Sequence, residues 1–186
     1  MSLSPVALHL LMEYKEHLQF ERHVSAATVQ VYLSEVKRYL EFLARNVLDV
    51  ETASAGDISH YFIERGQRGL VARTQARNMS ALRSFHHFLM LNTIREDNPM
   101  EHIDVPKIPQ TLPRIIDYNS VEEILSEIEQ DEDSLYAARD RVIFEVIYSC
   151  GLRVSELAAL RVEDYSAENK LLRVLGKGGK QRLIPV

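Results

Sequence analysis

Apolar residues recur at helical spacing through the first 105 residues of this 186-residue chain and predict four helices. A serine followed by a proline is typical of a helix start, so the first helix is predicted to begin at Ser4 and Pro5. The second helix is predicted over residues 26–44. The third is short, with Asp57 as its predicted N-cap and Gly66 as its predicted stop.

The fourth helix, predicted over residues 74–91, separates apolar and polar positions most clearly. Its apolar face carries Met79, Leu82, Phe85, His86 and Leu89, and His86 is expected to lie in or near the core. The opposite face carries the candidate DNA-binding residues Arg73, Arg77, Ser80, Ser84 and His87, with Arg83 at its flank. Arginines and hydroxyls suit bonds to phosphates and base edges in a major groove. The alternative is an ordinary solvated helix face.

Three prolines within residues 105–113 interrupt the helical pattern. They predict a semi-rigid linker over residues 106–113, between a first domain over 1–105 and a second over 114–186. In the second domain, Ser120 is predicted to cap an acidic helix that runs to about residue 129. An apolar helix is predicted over 137–149, ended by Gly151.

The last part of the chain changes from helical spacing to two short apolar runs, residues 171–175 and 182–186. They flank a glycine-rich turn with Lys177 at its tip and predict a β-hairpin. The fold class is therefore mainly α, with a small β-hairpin in the second domain.

Composition indicates the compartment more clearly than the function. A single cysteine, Cys150, excludes an internal disulfide framework and is expected to pack as a small apolar residue. The chain lacks a signal-peptide pattern and an apolar run of about 18 residues, so we expect a cytoplasmic protein with no membrane partner. The net charge of −5 disfavours DNA binding, but seven of the 27 acidic residues lie within 122–133. The histidines lack metal-ligand spacing, so no metal site is expected.

Two segments near the end of the chain carry the candidate catalytic residues. Gly151-Leu-Arg-Val-Ser-Glu-Leu157 predicts a short helix with Arg153 and Glu156 one turn apart, and Lys177 follows Arg153 by 24 residues. A guanidinium can clamp phosphate oxygens, and a lysine can give a proton to a departing oxygen. Lys180 is the competing lysine. The alternatives are a structural Arg153–Glu156 pair and a solvated turn lysine.

A series of short motifs, in order, resembles the tyrosine recombinase family, and within it the Xer-type recombinases. The motifs are Ser25–Tyr32 with Tyr39–Leu43, Ser80–Phe85 with Asn98-Pro99, the proline-rich linker, Arg139–Arg141, Gly151–Glu156 and the lysine hairpin. The resemblance covers nearly the whole chain. It implies a four-helix, SAM-like core-binding domain followed by the first part of an α+β catalytic domain.

The same resemblance implies the chemistry. Arg153 corresponds to the first catalytic arginine and Lys177 to the catalytic lysine, with Glu156 supporting the pocket. In the family a tyrosine attacks a DNA phosphate and forms a 3′-phosphotyrosyl intermediate, with no metal, ATP or small-molecule cofactor. The partners implied are duplex DNA and sister protomers in a tetramer, and the process implied is resolution of chromosome or plasmid dimers.

One departure from the family pattern concerns the nucleophile. All eight tyrosines precede Lys177, whereas the family's tyrosine and its second arginine follow the hairpin lysine. The chain is therefore expected to be the amino-terminal portion of a recombinase. Three alternatives stay open: a DNA-binding module without catalysis, a phage- or transposon-type integrase, and a helical protein-interaction domain.

Overall fold

The computed structural model describes residues 3–67, 69, 71–104, 112, 115–130 and 136–186. The chain divides into two compact units, Met1–Gln110 and Thr111–Val186. Of the predicted linker over 106–113, all residues but Leu112 lie outside the described residues. The described residues are mainly helical with one small antiparallel sheet, as predicted.

The first unit is built from four α-helices: α1 (Pro5–Glu16), α2 (Ala26–Arg45), α3 (Ala55–Gln67) and α4 (Ala72–Leu91). A π-helical turn, His17–Glu21, follows α1, and a 3-10 turn, Pro99–His102, follows α4. The predicted start of the first helix and the predicted bounds of the second and fourth helices are correct to within about two residues. At the first of them, the Ser4 hydroxyl accepts a hydrogen bond from the Ala7 amide at 3.2 Å.

The third helix corrects two predictions. Its N-cap is Ser54, whose hydroxyl accepts from the amide of Asp57, and the Asp57 carboxylate accepts in return from the amide of Ser54 at 2.8 Å. Asp57 therefore lies in the first turn and is not the cap. Gly66 does not stop the helix, which continues to Gln67, and the left-handed backbone conformation occurs at Gly69, where φ is 83°.

The core of the first unit lies between all four helices, and α2 packs along α4. Its largest fully buried apolar side chains are Tyr14, Tyr39, Phe42, Phe85, Leu18, Ile58, Met79, Leu82, Leu89 and Met100. Burial of one such side chain stabilises the fold by roughly 1.5–3 kcal/mol. The apolar face predicted for α4 is therefore confirmed, including His86, which is fully buried.

The second unit contains α5 (Tyr118–Gln130), α6 (Ala137–Cys150) and the short α7 (Val154–Ala158). The Asp117 carboxylate accepts from the Ser120 amide at 2.8 Å, so Asp117 caps α5 and the predicted cap, Ser120, is wrong. Gly151 ends α6 in the left-handed conformation, with φ of 59°, as predicted.

Three antiparallel strands in the order β1-β2-β3 complete this unit. They are β1 (Tyr165–Ser166), β2 (Leu171–Leu175) and β3 (Gln181–Pro185), and the hairpin of β2 and β3 was predicted. Because β1 has only two residues, its sequence carries no alternation that would reveal it. The small core beneath the sheet consists of Cys150, Leu152, Leu172 and Val174, which confirms the buried position expected for Cys150.

The apolar helix α6 is covered only in part. Val142 is 56% exposed, Phe144 46% and Tyr148 55%. No helix in the described ranges combines the length and the apolar character that a membrane crossing requires.

Candidate functional site

Arg153 and Glu156 lie together at the start of α7, directly after the turn at Gly151. Arg153 has extended backbone angles and is the N-cap, and Glu156 is the third residue of the helix. One oxygen of the Glu156 carboxylate accepts from the Arg153 amide at 2.9 Å, and the other accepts from Nη1 of the Arg153 guanidinium at 2.8 Å. Glu156 thereby satisfies a helix-start amide and anchors the arginine side chain.

The two side chains differ in exposure. The side chain of Arg153 is 70% exposed, and that of Glu156 is 4% exposed. The guanidinium is therefore held on one side by a buried carboxylate and faces solvent on the other, as a ligand-binding arginine must.

A second arginine, Arg182 on β3, binds the same carboxylate. Its Nη1 donates to Oε1 of Glu156 at 2.9 Å and its Nη2 donates to Oε2 at 2.8 Å, which is a two-pronged contact between the planar groups. This contact is the largest cause that holds the pKa of Glu156 far below its usual range, and it raises the pKa of Arg182. Glu156 is therefore ionised throughout the physiological pH range.

Arg182 is not among the site residues predicted from the sequence. Along β3, inward and outward positions alternate, and Arg182 shares the inward side with Ile184. A charged residue on the inward side of a predicted strand is the signal that could have revealed a buried partner. The partner itself lies 26 residues earlier, where alternation in the strand gives no information.

The predicted catalytic lysine lies in the turn between β2 and β3. Lys177–Gly179 forms one 3-10 turn, in which the Gly179 amide donates to the Gly176 carbonyl at 3.3 Å. The Gly176 amide donates to the Lys180 carbonyl at 2.7 Å and closes the hairpin. Gly178 and Gly179 have φ of 77° and 75°, where a side chain would strain the backbone. The Lys177 side chain lies outside the described structure, so its role stays a prediction. Lys180, the competing lysine, is exposed.

On α4 of the first unit, four of the six candidate DNA-binding residues are exposed as predicted: Arg73, Arg77, Ser80 and His87. Their outward positions leave two arginine side chains available to phosphates or base edges. Whether they contact DNA stays a prediction.

The other two candidates are less open to solvent. Arg83 is half-buried and donates to the carbonyl oxygens of Met100 at 3.3 Å and Ile103 at 3.4 Å, so it holds the chain after α4. The hydroxyl oxygen of Ser84 is buried beside Tyr14 of α1, which corrects its prediction as part of the open face. A helical wheel of α4 alone does not show that α1 covers this flank.

No three His, Cys, Asp or Glu side chains in the described ranges come close enough together to hold a metal ion. Among the side chains that the structure describes, Arg153, Glu156 and Arg182 form a charged cluster at the start of α7. Such a cluster can bind an anion through guanidinium hydrogen bonds.

Two family models match the chain. The model for the phage integrase N-terminal SAM-like domain matches residues 11–93, and the model for the phage integrase family matches residues 114–186. Together they cover most of the helical unit and the segment that carries Arg153, Glu156 and Arg182.

Curated relatives match over nearly the whole chain. It is 36% identical over 177 residues to tyrosine recombinase XerD of Chlorobaculum tepidum, with 95% of this chain and 58% of that protein covered. It is also 36% identical over 178 residues to tyrosine recombinase XerC of Pelobacter propionicus, covering 93% and 57%. The chain thus spans less than two thirds of the length of these relatives.

Solved structures share the fold. A lambda integrase tetramer bound to a Holliday junction superposes with a TM-score of 0.72 at 19% identity, covering 96% of this chain and 50% of that one. XerH bound to a palindromic difH substrate gives 0.67 at 19% identity, covering 94% and 52%. The predicted SAM-like domain followed by part of an α+β catalytic domain is confirmed.

Proposed function

The chain belongs to the phage integrase family of tyrosine recombinases, and from that premise we propose that the whole protein is a Xer-type site-specific recombinase. It cuts and rejoins duplex DNA, and the expected process is the resolution of chromosome or plasmid dimers. The observation that carries the proposal is the exposed Arg153 guanidinium, anchored by buried Glu156 at the start of α7. That geometry suits a clamp on a phosphodiester.

In the proposed reaction, Arg153 donates hydrogen bonds to the non-bridging oxygens of the phosphate and stabilises the charge that builds up there. A tyrosine hydroxyl gives its proton to water and its oxygen bonds to phosphorus, while the bond from phosphorus to the 5′ oxygen breaks. Lys177 gives a proton to that departing oxygen. The products are a 3′-phosphotyrosyl bond and a free 5′ hydroxyl, and the reverse steps rejoin the strands.

The proposed partners are duplex DNA and further protomers. The lambda integrase structure is a tetramer on a Holliday junction, and the XerH structure is a complex with its difH substrate. By the same architecture, we expect four protomers on two duplexes. The exposed arginines on α4 supply phosphate and base-edge contacts in the first unit.

A phage- or transposon-type integrase is the second candidate, since the neighbours include the Tn1549 transposon integrase at a TM-score of 0.68 and 18% identity. That similarity shows only the fold. The Xer relatives at 36% identity favour dimer resolution.

The test selects duplexes from a random-sequence pool with the 186-residue chain and then offers a nicked version of the selected site to the whole protein. The expected result is a protease-sensitive covalent protein–DNA product on a denaturing gel, with affinity that falls steeply as salt rises. A selected site that is bound but never cut would support a binding module. Selection of no sequence, with salt-insensitive binding, would support a protein-interaction domain.

A further inference from the structure

We propose that Arg182 is a positioning residue, which binds Glu156 so that the charge of Arg153 stays available to a DNA phosphate. The inference rests on the proposed function and deepens it, because it concerns the same phosphate site. In this role Arg182 contacts the Glu156 carboxylate and does not contact DNA.

The buried carboxylate of Glu156 is held by a set of hydrogen bonds. Glu156 accepts four hydrogen bonds of 2.8–2.9 Å: two from Arg182, one from the Arg153 guanidinium and one from the Arg153 amide. Two of the four come from Arg182, which approaches in the two-pronged geometry that fixes a carboxylate plane. The orientation of Glu156, and hence of the Arg153 side chain, depends on β3.

Arg182 also sets the net charge of the cluster around Glu156. A carboxylate that is 4% exposed needs a positive partner, since an uncompensated buried charge is strongly destabilising. Arg182 supplies that partner, so the cluster of two arginines and one glutamate keeps a net charge of +1. Without Arg182, Arg153 and Glu156 form a neutral pair one helical turn apart, and Arg153 has less charge to offer a phosphate.

The two arginine side chains differ in how far they are exposed to solvent. The side chain of Arg153 is 70% exposed and that of Arg182 is 38% exposed. The more exposed guanidinium is the one that an incoming phosphate reaches. The less exposed one makes the two-pronged contact.

Arg182 also lies next to the turn that carries Lys177. Arg182 pairs with Val174 across the β2–β3 ladder, and an added Cβ at Gly176 would lie 3.3 Å from its Nη1. Gly176 directly precedes Lys177, so the backbone that carries the predicted lysine packs against the guanidinium that holds Glu156. Arg182 therefore lies between Glu156 and the turn that carries Lys177.

The test in the whole protein measures single-turnover cleavage of a nicked duplex at saturating DNA. Arg182→Ala is expected to lower the rate by about 10–100-fold, the range seen when residues that orient metal ligands are removed. The Kd for the duplex should change little. Arg182→Lys, which keeps the charge but loses the two-pronged contact, should fall between. Arg173→Ala removes a strand arginine that pairs instead with Asp164 at 2.9 Å, and is expected to leave the rate unchanged.

The decisive variant adds Glu156→Gln to Arg182→Ala. Removal of the carboxylate charge frees Arg153 again, while the amide oxygen still accepts from the Arg153 backbone, so the rate should partly recover. An Arg182→Ala rate equal to that of the unchanged protein would overturn the inference. So would a double variant that is no faster than the single one.

A second measurement uses the 186-residue chain without any cleavage. Side-chain ¹⁵N signals of Arg153 are followed during titration with inorganic phosphate. They should shift in the unchanged chain, shift much less in Arg182→Ala, and shift again in the double variant. An equal response in the unchanged chain and in Arg182→Ala sinks the inference even if the recombinase proposal holds. Absence of cleavage by the unchanged whole protein sinks the recombinase proposal alone.

Discussion

The imidazole of His86 packs against the ring of Tyr39, with centroids 5.6 Å apart and planes at 64°. Both side chains are fully buried, and neither nitrogen of His86 has a hydrogen-bond partner among the described residues. Burial disfavours the charged imidazole and, together with the nearby positive charge of Arg95, lowers the pKa of His86 to about 3, while Asp97 acts weakly in the opposite direction.

Acid should therefore destabilise the helical unit through His86. Above pH 6.5 the imidazole is neutral in both states and contributes no pH dependence. Below pH 6.5 the unfolded chain binds a proton that the folded chain does not, so this contribution to stability falls by about 1.4 kcal/mol per pH unit until about pH 3. Urea unfolding of the chain between pH 7 and 4 measures the slope. His86→Phe should flatten it, and His87→Gln, at an exposed position, should not. Equal slopes in all three would contradict the assignment to His86.

Arg77→Ala is expected to weaken duplex binding. Arg77 is exposed on the face of α4 opposite the core, and loss of an arginine that contacts a guanine edge costs roughly 1–3 kcal/mol and relaxes specificity at that base pair. Titration against the selected site and a scrambled duplex measures both effects. Lys15→Ala removes one exposed charge from α1 and serves as the control. Equal losses of DNA affinity in both variants would show that Arg77 acts only through its charge and makes no specific contact.

Arg83→Ala should lower the free energy of unfolding more than it lowers the affinity for DNA. The substitution leaves the carbonyl oxygens of Met100 and Ile103 without a charged donor, which costs about 1–2 kcal/mol. Urea unfolding measures this, with the exposed Arg77→Ala variant expected to change stability by no more than about 0.5 kcal/mol. If Arg83→Ala unfolds like the unchanged chain yet binds DNA weakly, the prediction of Arg83 as a DNA-binding residue is right.

Gly176→Ala is expected to loosen the β2–β3 hairpin. The new Cβ would lie 3.3 Å from both the Lys180 carbonyl oxygen and Nη1 of Arg182, and such crowding typically costs about 1–3 kcal/mol. Faster amide hydrogen exchange along β2 and β3 would report it. Gly66→Ala is the matched substitution, since its Cβ meets open space within a helix, and should stabilise α3 by roughly 0.5–1 kcal/mol. Unchanged exchange in Gly176→Ala would show that Arg182 moves aside without cost.

The long helices were predictable because each repeats one local rule over many residues. On α4, every position predicted for the core face, including His86, is buried. Helix starts were less secure, because Ser54 and Asp57, like Asp117 and Ser120, lie three residues apart and both members of each pair are good caps. In both pairs the first member is the cap.

What the sequence could not show were contacts made between elements. Ser84 lies on the polar side of α4 when that helix is drawn alone, but Tyr14 of α1 lies beside it. The Arg182–Glu156 pair joins a strand to a helix start 26 residues away, so its existence depends on the strand register. The family resemblance named Arg153, Glu156 and Lys177 but not Arg182, which binds Glu156.

The β2–β3 register has an evolutionary consequence. Side chains alternate sides along β3, so gain or loss of one residue between Gly176 and Gln181 would turn Arg182 outward and bring Gln181 or Leu183 towards Glu156. Surface turns usually tolerate such insertions and deletions. Here the turn can change in composition where its glycine conformations allow, but its length is constrained by the salt bridge beside it.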